Sequence, residues 1–282
     1  MHRGQKKSLN YLFILFLYLT FIANGFSKPL IIAHRGASGE APENTMDAFK
    51  LAWELGADGI EGDFHLTRDG HIVAIHDKDT NKVTKGRNKL NVKKSSLKEL
   101  QVLDVGSWKN EKYSKARIPT LEDVIDSLPE GKKFFIEIKC GTEIMKPLIN
   151  VIDLKVKERP NLKTNICFIS FDKDVIKSCR TQWPDIEANY LESYKKIKGI
   201  SKWAPNENEV FRLLKLSLAS GIGTQANKEV LNPKFIKRLR LNQLSFHCWT
   251  INDIETARHF RDLGVDSITT DFPKRIRDGL RQ

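Results

Sequence analysis

Cysteine is scarce in this chain, with 4 among 282 residues. Cys140, Cys167, Cys179 and Cys248 stand too far apart for a zinc-ligand pattern. Each falls in an apolar strand or helix context, where a free thiol behaves as a small buried hydrophobe. Long apolar runs are also missing. The most extended, Tyr11 to Ala23, is short of the roughly 20 residues that a spanning helix needs. Helix-turn-helix, zinc-finger and aromatic-basic RNA patterns are absent, so nucleic acid is not an expected partner. No segment concentrates the positive charge. The formal +12 is spread from Lys78–Lys98 through Lys195–Lys202 to Arg275–Arg281, which describes a solvated basic surface better than a single patch.

What is present is an ordinary globular mixture, 40 % hydrophobic and 29 % charged, which excludes extensive disorder. The length suits one large domain and is close to that of an eight-fold β/α barrel, roughly 250 residues. Residues 1–25 stand apart. Arg3, Lys6 and Lys7 precede the apolar run, and Ala23-Asn24-Gly25 supplies small residues for a peptidase. That layout predicts a signal peptide. The expectation is a secreted or periplasmic protein of residues 26–282, with no stable membrane span once the signal is removed. Oligomeric state is not legible.

Short apolar runs then alternate with helical patterns. Strands are predicted at Leu30–His34, Gly59–Leu66, Lys133–Lys139, Asn165–Ser170, Ile186–Tyr190, Ser220–Thr224, Leu244–Thr250 and Ser267–Thr270. Between most of them lie helices such as Met46–Leu55, Lys173–Gln182 and Pro233–Leu241. A hairpin return at His71–His76 follows the second strand. Residues 77–117 break the rhythm and read as an insertion. Strand–helix alternation implies a parallel sheet, and about eight units favour closure into a TIM-type (β/α)8 barrel, in the α/β class.

Polar residues collect at the carboxyl ends of these strands, where barrels hold their ligand chemistry. Glu61 and Asp63 are two apart and share a face, as do Glu137 and Lys139. Three carboxylates converging inside a barrel need compensation. A hard divalent cation, Ca2+ or Mg2+, fits oxygen ligands; a salt-bridge network with Arg35 and Lys139 is the alternative. His34 and His76, at two strand ends, suit proton transfer to and from a phosphodiester. His71 at a turn and His247 deeper in its strand are weaker candidates. His65 is assigned to the face opposite Asp63 and left out.

The ordered motifs Ala33-His34-Arg35-Gly36, Pro42-Glu43-Asn44-Thr45, Glu61-Gly62-Asp63, Leu66–Gly70, His76-Asp77, Leu103–Trp108, Ile118–Leu121, Ile136–Lys139, Trp249–Asn252, Gly264-Val265-Asp266 and Thr270–Pro273 resemble the glycerophosphodiester phosphodiesterase family. They run through nearly all of the mature chain. The resemblance implies a TIM barrel with a small insertion after strand two and a glycerophosphodiester substrate. It implies metal ligation by Glu61, Asp63 and Glu137, an acid–base pair in His34 and His76, and phosphate binding by Arg35 and Lys139. It further implies a pocket wall at Trp249 and a positioning role for Glu43, which a helix-start acid would explain equally well. A lysophospholipase D or phospholipase-type diesterase that forms a cyclic phosphate is a second enzyme reading. A binding protein on a dead barrel is a third, and retention of both histidines argues against it. Residues 192–209 match no motif of the family.

One further expectation concerns the thiols. Alternation is read as placing Cys167 and Ile169 toward the surrounding helices, with Cys179 on the inward stripe of Val175 and Ile176. A disulfide would need their Cα atoms within about 7 Å, so separate buried thiols are preferred.

Overall fold

The computed structural model describes residues 28–200 and 202–282; the predicted signal peptide, residues 1–25, lies outside them. Eight parallel strands close on themselves: β1 (Leu30–Ala33), β2 (Gly59–Leu66), β4 (Lys133–Ile138), β5 (Ile166–Ser170), β6 (Glu187–Glu192), β9 (Gly221–Gln225), β10 (Ser245–Trp249) and β11 (Ser267–Thr270). β1 pairs with β2 on one side and β11 on the other, which completes the TIM-type barrel. β3 (Ile72–Ala74) runs antiparallel to β2 as a hairpin return.

Helices wrap the outside: α1 (Met46–Glu54), α3 (Leu121–Asp126), α4 (Met145–Glu158), α5 (Leu162–Asn165), α6 (Lys173–Gln182), α7 (Glu207–Leu216), α8 (Pro233–Leu241), α9 (Ile254–Asp262) and α10 (Pro273–Gly279). Their starts follow local chemistry. The Thr45 side chain accepts from Ala48 N at the head of α1, Asn206 and Glu209 form a reciprocal cap on α7, and Asn232 precedes Pro233 at α8. Outward strand residues such as Ile60, Phe64, Phe134, Ile136 and Phe168 meet these helices in one continuous apolar layer.

Between β3 and α3 the chain carries only α2 (Leu97–Gln101) and short 3₁₀ turns. This stretch has its own small core, where Val83, Val92, Leu100, Leu103 and Val105 pack on Val73 and Ile75. Residues 192–209 hold a minor hairpin, β7 (Lys195–Lys196) against β8 (Trp203–Ala204).

The lumen is filled in layers, as barrels of this kind require. Ile32, Phe135, Cys167, Ile169 and Leu191 form an apolar plug with Trp249 against it. Nearer the amino ends of the strands lies a polar cluster. His247 Nδ1 is 2.7 Å from Ser267 Oγ, and His247 Nε2 is 3.1 Å from Glu187 Oε1. Ser245 Oγ donates to the same Glu187 oxygen at 2.7 Å. His247 is therefore held within the interior, two residues below the carboxyl end of its strand.

The expected orientation of β5 is reversed. Cys167 faces the lumen, 3.3 Å from Asn189 Nδ2, while Phe168 faces the helices and stacks on Trp183. Cys179 does lie in the helix-facing layer, 4.0 Å from Met145 Sδ. The two thiols thus sit on opposite sides of the strand, and all four cysteines are free. Cys140 is half-buried rather than buried.

Candidate active site

The carboxyl ends of β1, β2 and β4 bring the predicted polar residues together. His34, Arg35, Glu61, His76, Glu137, Lys139 and Trp249 line one cavity of about 180 Å3. Asp63 lies against it, buried to 1 % exposure. Glu61, Asp63 and Glu137 each offer an oxygen within 4.8 Å of the others.

Burial, followed by repulsion from Asp63 and Glu137, pushes the Glu61 carboxyl well above the usual range. Burial and Asp63 likewise raise Glu137 to about 7, although Lys139 and Arg35 oppose the shift. Burial acts in the same direction on Asp63, but Arg35, Lys139, His76 and Asn44 outweigh it and keep that carboxyl below its ordinary value. Glu61 Oε1 and Asp63 Oδ1 are buried with no hydrogen-bond partner among the described residues. Hard oxygen donors that repel one another, with two oxygens making no hydrogen bond, suit a hard divalent cation. The acidic triad therefore fits a metal.

The cations are fixed by these acids. Lys139 Nζ is 2.7 Å from Glu137 Oε1 and 3.5 Å from Asp63 Oδ1. Arg35 donates its backbone N–H to Glu61 Oε2 at 2.8 Å, and its side chain pairs with Asp63 and Glu43 at 3.1 Å each. Arg35 adopts a left-handed φ of 54°, and its amide and guanidinium together serve three carboxylates. Glu43 also receives Lys82 Nζ at 2.8 Å. Because Glu43 precedes the Thr45 cap, it is not part of the first helical turn, where Asp47 stands. Its carboxylate is held by Arg35 and Lys82 together.

Each histidine has one ring nitrogen anchored. His34 Nδ1 lies 2.7 Å from Asp271 Oδ1, and His76 Nδ1 lies 2.7 Å from Asp77 Oδ1. Burial lowers the affinity of His76 for a proton, and Arg35 and Lys139 reinforce it against the pull of Asp63. Burial would raise Asp271, but His34, Asn252 and Ser38 bring it down to about 2.

Asp271, Asn252, Asp77 and Asn44 were missed as site residues, although all four lie within the family-like motifs. Asn44, at φ 57°, donates to Asp63 Oδ2 at 2.8 Å and accepts from Asp63 N at 3.0 Å. His65 is a correction. Residues 63 and 65 are two apart and share a face, so its exclusion on the ground of an opposite face was mistaken. It sits past the lumen, with Nε2 3.2 Å from the His76 carbonyl. His71 remains exposed at its turn.

A sequence model described as the glycerophosphoryl diester phosphodiesterase family matches residues 34–275. The chain belongs to this family. A glycerophosphodiester phosphodiesterase of Caldanaerobacter subterraneus is 33 % identical over 258 residues, covering 90 % of this chain and 99 % of that protein. Among solved structures, an Oleispira antarctica phosphodiesterase in complex with the product sn-glycerol-3-phosphate superposes with a TM-score of 0.76 at 26 % identity, over 90 % of this chain and 98 % of that one. A glycerophosphodiester phosphodiesterase from Parabacteroides distasonis gives 0.68 at 27 %, over 91 % and 98 %. Family membership makes the chain an enzyme, a phosphoric diester hydrolase on a TIM barrel.

Proposed function

We propose that this enzyme hydrolyses glycerophosphodiesters to sn-glycerol 3-phosphate and an alcohol such as choline or ethanolamine. The observation that carries the reading is the pair of histidines in one cavity, each with Nδ1 anchored to an aspartate. Anchoring Nδ1 leaves Nε2 of each ring for proton transfer. One imidazole takes a proton from the attacking oxygen as it bonds to phosphorus, and the other gives a proton to the departing alcohol oxygen. Arg35 and Lys139 hold the non-bridging oxygens as their charge grows.

Glu61, Asp63 and Glu137 would hold a divalent metal, Ca2+ or Mg2+, which when bound neutralises phosphate charge. Trp249 packs edge-on with Phe171, ring centroids 5.7 Å apart, and offers an apolar wall for the glycerol carbons. Glu43 positions Arg35.

The test is turnover of glycerophosphocholine followed by phosphorus NMR. Expected is sn-glycerol 3-phosphate formed without an intermediate, and a loss of roughly 10²–10⁴-fold for His34→Ala or His76→Ala with the fold retained. A cyclic phosphate as first product would make the substrate's own hydroxyl the nucleophile, as in the phospholipase-type reading. Near-normal turnover in either variant would rule out the paired mechanism.

Export belongs to the same proposal and rests on the basic start and apolar run before Phe26. Among the described residues no helix is long and apolar enough to cross a membrane. Terminal sequencing of protein recovered outside the cytoplasm should begin near residue 26; an intact Met1 would defeat the export reading.

A further inference from the structure

A second cavity, of about 370 Å3, lies between the barrel and the segment that follows β3. Its walls hold Lys78, Lys93 and Lys94 from that segment, Lys139 and Glu143 from beyond β4, and His65 from β2. Four lysines face one carboxylate, and Glu143 is already engaged by Lys93 at 2.9 Å. Lys139 is held by the acids of the active site. The ammonium groups of Lys78 and Lys94 have no carboxylate partner among the described residues. Cations gathered around a concavity without matching acids repel one another, and an anion entering it relieves that repulsion.

Position says which anion. Lys139 is a wall of both cavities, so the basic cavity adjoins the active-site cavity across a single side chain. From there a ligand could reach the active site without leaving the protein surface.

We propose that this cavity binds a second phosphate carried by the alcohol half of the substrate. The preferred substrates are then glycerophosphodiesters whose leaving alcohol is itself a phosphorylated polyol. The inference rests on the hydrolytic reading above. It adds a binding site made jointly by the barrel and the segment after β3.

Three substrates test it: glycerophosphocholine, glycerophosphoglycerol, and glycerophosphoglycerol phosphorylated on its terminal hydroxyl. They are compared in the native enzyme and in the doubly substituted Lys78→Gln, Lys94→Gln enzyme. Both lysines are exposed and outside the catalytic set, so folding should be unaffected. The native enzyme should favour the phosphorylated substrate over glycerophosphoglycerol by about tenfold in kcat/KM, as charge-assisted contacts allow. That preference should shrink with added salt. In the variant it should fall to about unity, with glycerophosphoglycerol and glycerophosphocholine within about twofold of native.

If glycerophosphoglycerol is hydrolysed but the native enzyme shows no preference, or the variant keeps it, the phosphate site is wrong and the hydrolytic reading stands. If none of the three is hydrolysed by metal-loaded native enzyme, the hydrolytic reading itself fails. Inorganic phosphate separates a substrate site from a free-anion site. Phosphate that erodes the native preference supports the proposal, whereas phosphate bound at Lys78 and Lys94 with no substrate preference overturns it.

Discussion

Asp271 occupies Nδ1 of His34, which leaves Nε2 for the proposed proton transfer. Asp271→Asn should therefore lower kcat by roughly 10²-fold with little change in KM, since it disturbs orientation rather than binding. The effects should not add: His34→Ala with Asp271→Asn is expected to match His34→Ala alone. Full additivity would mean that Asp271 acts elsewhere. Glu187 offers a pH test remote from the chemistry. Burial opposes its charge, but His247, Asn189 and Ser245 bring its carboxyl down to about 2 from 4.5. A folded-state value below the unfolded one gives stability that is present above about pH 4.5 and lost as pH falls toward 2. With the side chain 35 % exposed, screening keeps the contribution to about 1 kcal/mol. Urea titrations of Glu187→Gln should show a deficit at pH 7 that narrows below pH 4.5. A deficit independent of pH would refute the electrostatic account.

β9 carries two glycines in Gly221-Ile222-Gly223, a composition that disfavours strands, yet it is a full barrel strand between β6 and β10. Its glycines explain both facts. A Cβ on Gly221 would collide with Ser245 and Asn189, and one on Gly223 with Leu191, because the lumen is already filled from neighbouring strands. Gly221→Val should destabilise the protein by about 2–3 kcal/mol through overpacking. Gly70→Ala has open space and meets only its φ of 87°, so about 1 kcal/mol is expected. Equal urea midpoints for the two variants would contradict the packing argument. β5 shows why facing was misjudged. Ile166 and Phe168 are as buried as Cys167 and Ile169. When both faces of a strand are buried, alternation carries no signal of which face is inside.

Across the whole molecule, a metal held by the acidic triad would link stability to metal concentration. Chelation should abolish turnover, and Ca2+ or Mg2+ should restore it. Metal at a hundredfold its Kd should add about 2.7 kcal/mol of stability, seen as a higher thermal midpoint. The midpoint of an enzyme carrying Glu61→Gln, Asp63→Asn and Glu137→Gln together should not respond. Activity that survives exhaustive metal removal would disprove the role of the triad.

Periodicity and spacing were enough to place most barrel elements within a residue or two, and Glu61 with Asp63 and Glu137 with Lys139 on shared faces, because both properties are local. The meeting of distant residues was not legible in that way. His34 and Asp271 are 237 positions apart and touch only because β11 closes the barrel against β1. Lys78 and Lys94 line one cavity with Lys139 only because the segment after β3 folds its own apolar core back onto β3. Closure and docking are satisfied by hydrogen bonds and burial between segments with no common period, so tertiary structure alone decided which charges became neighbours.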